Sequence, residues 1–170
     1  LKDGGRAAVV LPDGTLFGEG VKTRIKEKLL GGCNLHTVLR FPKSVFAPYT
    51  SIATNILFFT KGQPTQEVWY YEHSLPEGYK AYSKTKPMKR EEFTAAKQWW
   101  KNRVESENAW RVSVDEIRDN GYNLDIKNPN KPEHSFGDPV EILSLFNEEK
   151  ARGHKILEKL RDALSVALLR

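Results

Sequence analysis

The 170-residue chain is poor in sulfur, with Cys33 its one cysteine and Met88 its one methionine. One thiol excludes an internal disulfide framework and gives no reason to place the protein outside a reducing cytoplasm. No apolar run approaches the roughly 18 to 20 residues that a membrane span needs, so no membrane role is expected. The opening residues, Leu1-Lys2-Asp3-Gly4-Gly5-Arg6, hold no basic stretch followed by an apolar one, and nothing there resembles a signal peptide. They also lack an initiator methionine, which reads as a piece cut from a longer chain. His36, His73, His134 and His154 have no partner at ligand spacing, and no metal site is expected. No Gly-x-Ser-x-Gly elbow and no paired carboxylates point to hydrolysis.

What is present suits a globular domain. Hydrophobic residues make up 39% of the chain, enough to bury a core, and the net charge is +5. That charge is unevenly spread: residues 1–62 hold nine Lys/Arg against four Asp/Glu, while the remainder holds 18 of each. A basic surplus in the first third is compatible with phosphate contacts, and equally with a lysine-rich solvated surface.

The pattern predicts an α/β fold. Residues 6–11 (RAAVVL), a continuous apolar run fenced by glycine and by Pro12-Asp13-Gly14, predict a buried strand. Residues 20–30 carry Val21, Ile25, Leu29 and Leu30 between lysines and arginines, which predicts an amphipathic helix stopped by Gly31-Gly32. Strands are expected over 34–41 and 54–60, and 67–71 is expected to pair with 54–60 as an antiparallel edge hairpin. Three regions are expected: 1–74 for the sheet, 75–137 as a connector with helical and irregular parts, and 138–170 as a long helix. Lys89–Arg103 reads as a charged helix, Trp110–Asp119 as a strand running through Ser113 into a helical turn, and Asn120–His134 as loop. Asp138-Pro139 opens the final helix with proline in its first turn. Its apolar seam runs through Ile142, Leu145 and Phe146, then Ile156, Leu157, Leu160, Leu164 and Leu168 at helical spacing. The seam packs either on its own domain or on a partner helix.

Residues 14–23 (GTLFGEGVKT) follow a strand and enter a helix, as a phosphate-binding loop does. A P-loop needs lysine directly after its last glycine, and the intervening Val21 turns the ammonium by about 100°. Nucleotide hydrolysis is therefore not expected.

Three blocks together carry a resemblance: GGRAAVVLPDGTLF at 4–17, LRFPKSVFAPY at 39–49 and TNILFF at 54–59. They resemble the later part of the catalytic domain in modification (methyltransferase) subunits of type I restriction-modification systems, which are adenine-specific DNA methyltransferases. Phe93 with Trp99-Trp100, WRVS at 110–113 and YNLDIKNPN at 122–130 resemble the same subunit's C-terminal region. The resemblance implies the C-terminal part of a Rossmann-like methyltransferase sheet followed by a mostly α-helical tail. In that family S-adenosylmethionine is held by a glycine motif after an early strand, and the target amine by an Asn/Asp-Pro-Pro-aromatic motif. Neither occurs here, since Asn128-Pro129 continues into Asn130-Lys131. The cofactor is thus expected in the intact enzyme but not on this chain alone, and no catalytic residue is expected in it.

The family places an aromatic residue in the loop between late strands, where it stacks on the flipped adenine. Here that position is Phe46, which otherwise plugs the sheet edge. Lys43, Tyr49, Thr50 and Ser51 are lesser candidates for DNA contact. The resemblance further implies DNA, a specificity subunit, a restriction subunit and a second modification subunit as partners, with the final helix as the contact. An alternative reading is a noncatalytic adaptor, using its basic first third for nucleic acid and its last helix for a protein.

Overall fold

The computed structural model describes residues 1–131 and 138–168, which fall into two compact units, one within residues 1–131 and one within 132–170. The first unit is built on a five-stranded mixed sheet. Its elements are β1 (Arg6–Pro12), a single turn α1 (Asp13–Leu16), α2 (Val21–Gly32), β2 (Cys33–Arg40), β3 (Thr54–Lys61) and β4 (Glu67–Glu72). A 3-10 turn (Arg90–Phe93), α3 (Thr94–Lys101), β5 (Ala109–Ser113) and α4 (Val114–Asp119) complete it. The strand order is β1-β3-β2-β4-β5. β1, β2 and β4 run one way; β3 and β5 run against them.

The expected hairpin of 54–60 with 67–71 does not form. β3 has both edges filled, by β1 and β2, and β4 lies parallel to β2 instead. Thr65 explains the crossing. Its amide donates to the Leu30 carbonyl, and its hydroxyl both donates to the Cys33 carbonyl and accepts from the Leu35 amide. The connection is thereby pinned across the start of β2 and delivers β4 to the far edge.

Each face of the sheet carries its own core. On one, Leu35, Val38, Leu57, Val68, Tyr70 and Val112 pack beneath Leu16, Leu30, Ile117 and Leu124. Tyr70 is fully buried, stacks on Trp110 at 5.3 Å and donates its hydroxyl to the Leu124 carbonyl. On the other, Leu39, Phe41, Tyr71 and Ala109 pack against Ala96 and Trp99 of α3. Since β5 pairs with β4, the sheet draws its last strand from beyond residue 74, within the stretch expected to be connector and helical region. The Lys89–Arg103 helix is shorter than expected, because its first turn is 3-10. Ser113 caps α4 by accepting from the Glu116 amide, as the sequence predicts.

Two expectations for the start of the chain are corrected. Gly31 and Gly32 do not stop α2; they form its last turn, and Cys33 opens β2 at once. β1 is a strand but not a buried one, because its one neighbour among the described residues is β3 and its other edge is open. The expected apolar stripe of α2 holds in its last turn, where Leu30 is buried and Leu29 packs on the core, and fails in its first, where Val21 and Ile25 are exposed and the stem of Lys26 is buried instead.

The second unit is α5 (Pro139–Leu168), a 30-residue helix. Ile142, Leu145, Phe146, Ile156, Leu157, Leu160 and Leu164 are all exposed along it. The side chain of Leu168 lies outside the described residues.

Candidate functional site

Ligands of open α/β sheets gather where parallel strands end. Here the carboxyl ends of β1, β2 and β4 come together with the start of β3. Pro12 lies opposite Thr54, Asn55 opposite both Leu11 and Arg40, and Arg40 opposite Glu72. The loop 42–53 leaves this edge from β2 and returns to it at β3.

That loop is tightly wound. The amides of Val45, Ala47 and Tyr49 donate to the carbonyls of Pro42, Ser44 and Phe46 at 3.2, 3.0 and 2.9 Å. Val45 points into the second core, whereas the Phe46 ring is 45% exposed. Lys43, Tyr49 and Ser51 are exposed. Thr50 is half-buried, and its hydroxyl accepts from the Ile52 amide, so that group serves the loop itself.

Beside the loop stands a buried network that sequence reasoning missed. The Tyr82 amide donates to the Ser44 hydroxyl at 2.8 Å. The Tyr82 hydroxyl donates to the Glu92 carboxylate, leaving its oxygen to accept from His73 Nε2 at 3.3 Å. His73 packs against the rings of Phe41 and Phe93, each 5.7 Å from it, and those two rings are 5.9 Å from each other. Burial pushes the Tyr82 phenol well above its ordinary range, and the Glu92 carboxylate adds to this. Burial also lowers the His73 imidazole, with Glu92 pulling the other way. No spacing rule connects these three residues; Tyr82 lies in a Pro-, Gly- and Lys-rich stretch that reads as connector, yet it is 3% exposed.

On the opposite face of the same edge, Asn55 donates from its amide nitrogen to Asp13 at 2.6 Å, and Arg40 is paired with Asp125 and donates to the Ile126 carbonyl. Asp13, part of the Pro12-Asp13-Gly14 signal that ends the first strand, is thus engaged by Asn55. The Asn55 side-chain oxygen is buried without a partner.

The glycine-rich loop at 14–20 is filled by cations. Lys22 Nζ donates to the Gly14 carbonyl, and Lys26 Nζ to the carbonyls of Leu16 and Gly18. A Cβ at position 18 would sit 2.8 Å from the Gly14 oxygen, which accounts for the glycine. With carbonyls turned inward onto ammonium groups, the loop offers no cradle for a phosphate or for a cofactor's carboxylate.

A mixed sheet with a wound, aromatic-tipped loop at its carboxyl edge defines a class, and comparison with known proteins agrees with it. Residues 1–136 match the family model described as N-6 DNA methylase, and the chain belongs to that family. Within it the likeness is to type I modification subunits. The chain is 57% identical to the methylase subunit of the type I restriction enzyme EcoEI from Escherichia coli, over 99% of its own length and 36% of that protein's. It thus spans about a third of that relative. A crystal structure of a modification subunit ascribed to a type I restriction enzyme of Vibrio vulnificus YJ016 is 53% identical, with TM-score 0.72 over 76% of this chain and 28% of the other. A chain from work on complex assembly and conformational transition of the type I R-M system is 37% identical, with TM-score 0.74 over 96% of this chain and 36% of the other.

Proposed function

We propose that this chain is one portion of an adenine-specific DNA methyltransferase, the modification subunit of a type I restriction-modification system, and that Phe46 is its surface for the flipped target base. The methyl group would come from S-adenosylmethionine, held by parts of the intact subunit beyond this chain. The observation that carries the reading is the contrast within one loop: Val45 is anchored in the core while the Phe46 ring stands half-exposed where three parallel strands end. A flat apolar ring so placed offers the stacking surface that an extrahelical purine needs, worth about 1–3 kcal/mol per base. Lys43, Tyr49 and Ser51 surround it as candidates for phosphate contact; Thr50 is the weaker candidate, its hydroxyl being engaged within the loop. In the full-length subunit on duplex DNA, Phe46→Ala should slow methylation while leaving cofactor affinity intact. Unchanged turnover would sink the stacking role.

The exposed seam of α5 favours a second, compatible role. Ile156, Leu157, Leu160 and Leu164, with Leu168 by sequence spacing, would dock on the specificity subunit or on a second modification subunit, the restriction subunit joining the same assembly. An adaptor without catalysis shares the seam but predicts no effect of Phe46 on methylation.

A further inference from the structure

We propose that Ser44, Tyr82, His73 and Glu92 form a positioning relay that holds the Phe46 ring at the angle a flipped base requires. The inference rests on the stacking reading of Phe46 and adds what orients it. Phe46 is bracketed on both sides. Before it, the Ser44 hydroxyl accepts from the Tyr82 amide at 2.8 Å; after it, the Ala47 amide folds back onto the Ser44 carbonyl at 3.0 Å. Among the described residues, Ser44 is thus the one residue whose side chain ties the tip of the loop to the 75–93 stretch by a hydrogen bond.

Tyr82 can serve as an anchor only if it is itself immobile, and its surroundings make it so. Its ring is buried, its hydroxyl spans Glu92 and His73, and His73 packs in a three-ring cluster with Phe41 and Phe93. Phe41 begins the stretch leading into the loop, so the same cluster holds both its root and its tether. Glu92 is fixed in turn by the Lys89 amide, which donates to its second carboxylate oxygen at 2.8 Å. Four elements, the end of β2, the residue after β4, the connector and the 3-10 turn, therefore meet around the Tyr82 side chain, and the Tyr82 backbone amide in turn holds the Ser44 hydroxyl of the loop. Tyr82 and His73 are buried and hydrogen-bonded to each other, so rotating either would strand a polar group away from water, which makes the anchor rigid. Rigidity is what a stacking platform requires, since misplacing a reacting group by about 1 Å costs on the order of a hundredfold in rate.

The test uses the intact modification subunit assembled with its partners on duplex DNA. Ser44→Ala should lower kcat for methylation by about tenfold, the worth of one net hydrogen bond, without changing KM for S-adenosylmethionine. Ser44→Thr, which keeps the hydroxyl, should restore the rate. Tyr82→Phe, which removes the hydroxyl that Glu92 and His73 share, should act in the same direction. Amide hydrogen exchange at Ala47 and Tyr49 should quicken in Ser44→Ala while α2 exchanges as before. Wild-type kcat and unchanged loop exchange in Ser44→Ala would overturn the relay, as would a lost rate that threonine fails to mend. Phe46→Ala separates the two claims. If it turns over at the wild-type rate, the stacking reading fails, and loop exchange in Ser44→Ala alone then decides whether the relay holds the loop.

Discussion

Strands β1 and β4 are alike on paper, each a run of apolar residues bounded by turn signals, yet they meet opposite fates. In β4, Val68, Tyr70 and Tyr71 are buried, flanked by β2 and β5 and covered on one face by α4 and on the other by α3. In β1, Val9 and Val10 are 38% and 52% exposed, and Phe17, Val21 and Ile25 in the elements that follow are more exposed still. Intrinsic pattern is the same in both; what differs is the number of neighbours. A strand exposed along most of its length, with a free edge, is an unfinished part of a sheet. We read the β1–α2 flank as the surface that the rest of the subunit covers, and the β4–β5 flank as finished.

The largest effect should come from the finished side. Trp110→Ala removes an indole that is 3% exposed and stacked on Tyr70, and should cost about 3–5 kcal/mol of unfolding free energy. Val10→Ala in the same chain should cost less than about 1 kcal/mol. Urea denaturation of both variants measures the difference, and equal costs would break the comparison. In the full-length subunit the Val10→Ala cost should rise toward that of a buried valine; no rise would mean that β1 faces solvent there too.

A second contrast lies between the sheet unit and α5. Leu160→Glu with Leu164→Glu places two carboxylates on the exposed seam. Complex formation should weaken by about 2–4 kcal/mol, the loss expected for central interface anchors, while urea unfolding of the sheet unit stays unchanged. Intact affinity by analytical ultracentrifugation would remove the seam from the interface.

The sequence made much of this fold readable and left specific parts hidden. Strand positions for β1, β2, β3 and β5 follow from local runs, and the Ser113 cap from a local side-chain rule. The pairing of β4 did not, because it depends on Thr65, whose three hydrogen bonds reach residues 30 to 35 positions away. The exposure of β1 depends on a neighbour, which no window of residues records. Of the site, Phe46 was legible through the resemblance and its loop, but Tyr82 was hidden in a stretch whose composition says connector. Burial of one tyrosine among lysines and prolines has no periodic signature; it arises because Glu92, Ser44 and His73 each offer it a partner.

That hidden network should show itself in acid, which gives the smallest but most specific prediction. Burial alone would raise the Glu92 carboxyl; hydrogen bonds from Tyr82 and the Lys89 amide outweigh it and hold the group below its ordinary value of 4.5. A carboxyl lowered by folding contributes stability that is present above pH 4.5 and is lost as pH falls through the folded-state value. His73, lowered chiefly by burial from its ordinary 6.5, acts in the same direction in a higher window, since its neutral form favours the fold above pH 6.5 and protonation opposes it below. Stability of the chain should therefore decline in two stages on acidification. Glu92→Gln should remove the lower stage and, by taking away the carboxylate that offsets His73 desolvation, extend the upper stage to lower pH. Unfolding free energies measured from pH 7 to pH 3 test this, and a Glu92→Gln profile superimposable on that of the parent would show that Glu92 and His73 do not titrate as a coupled pair.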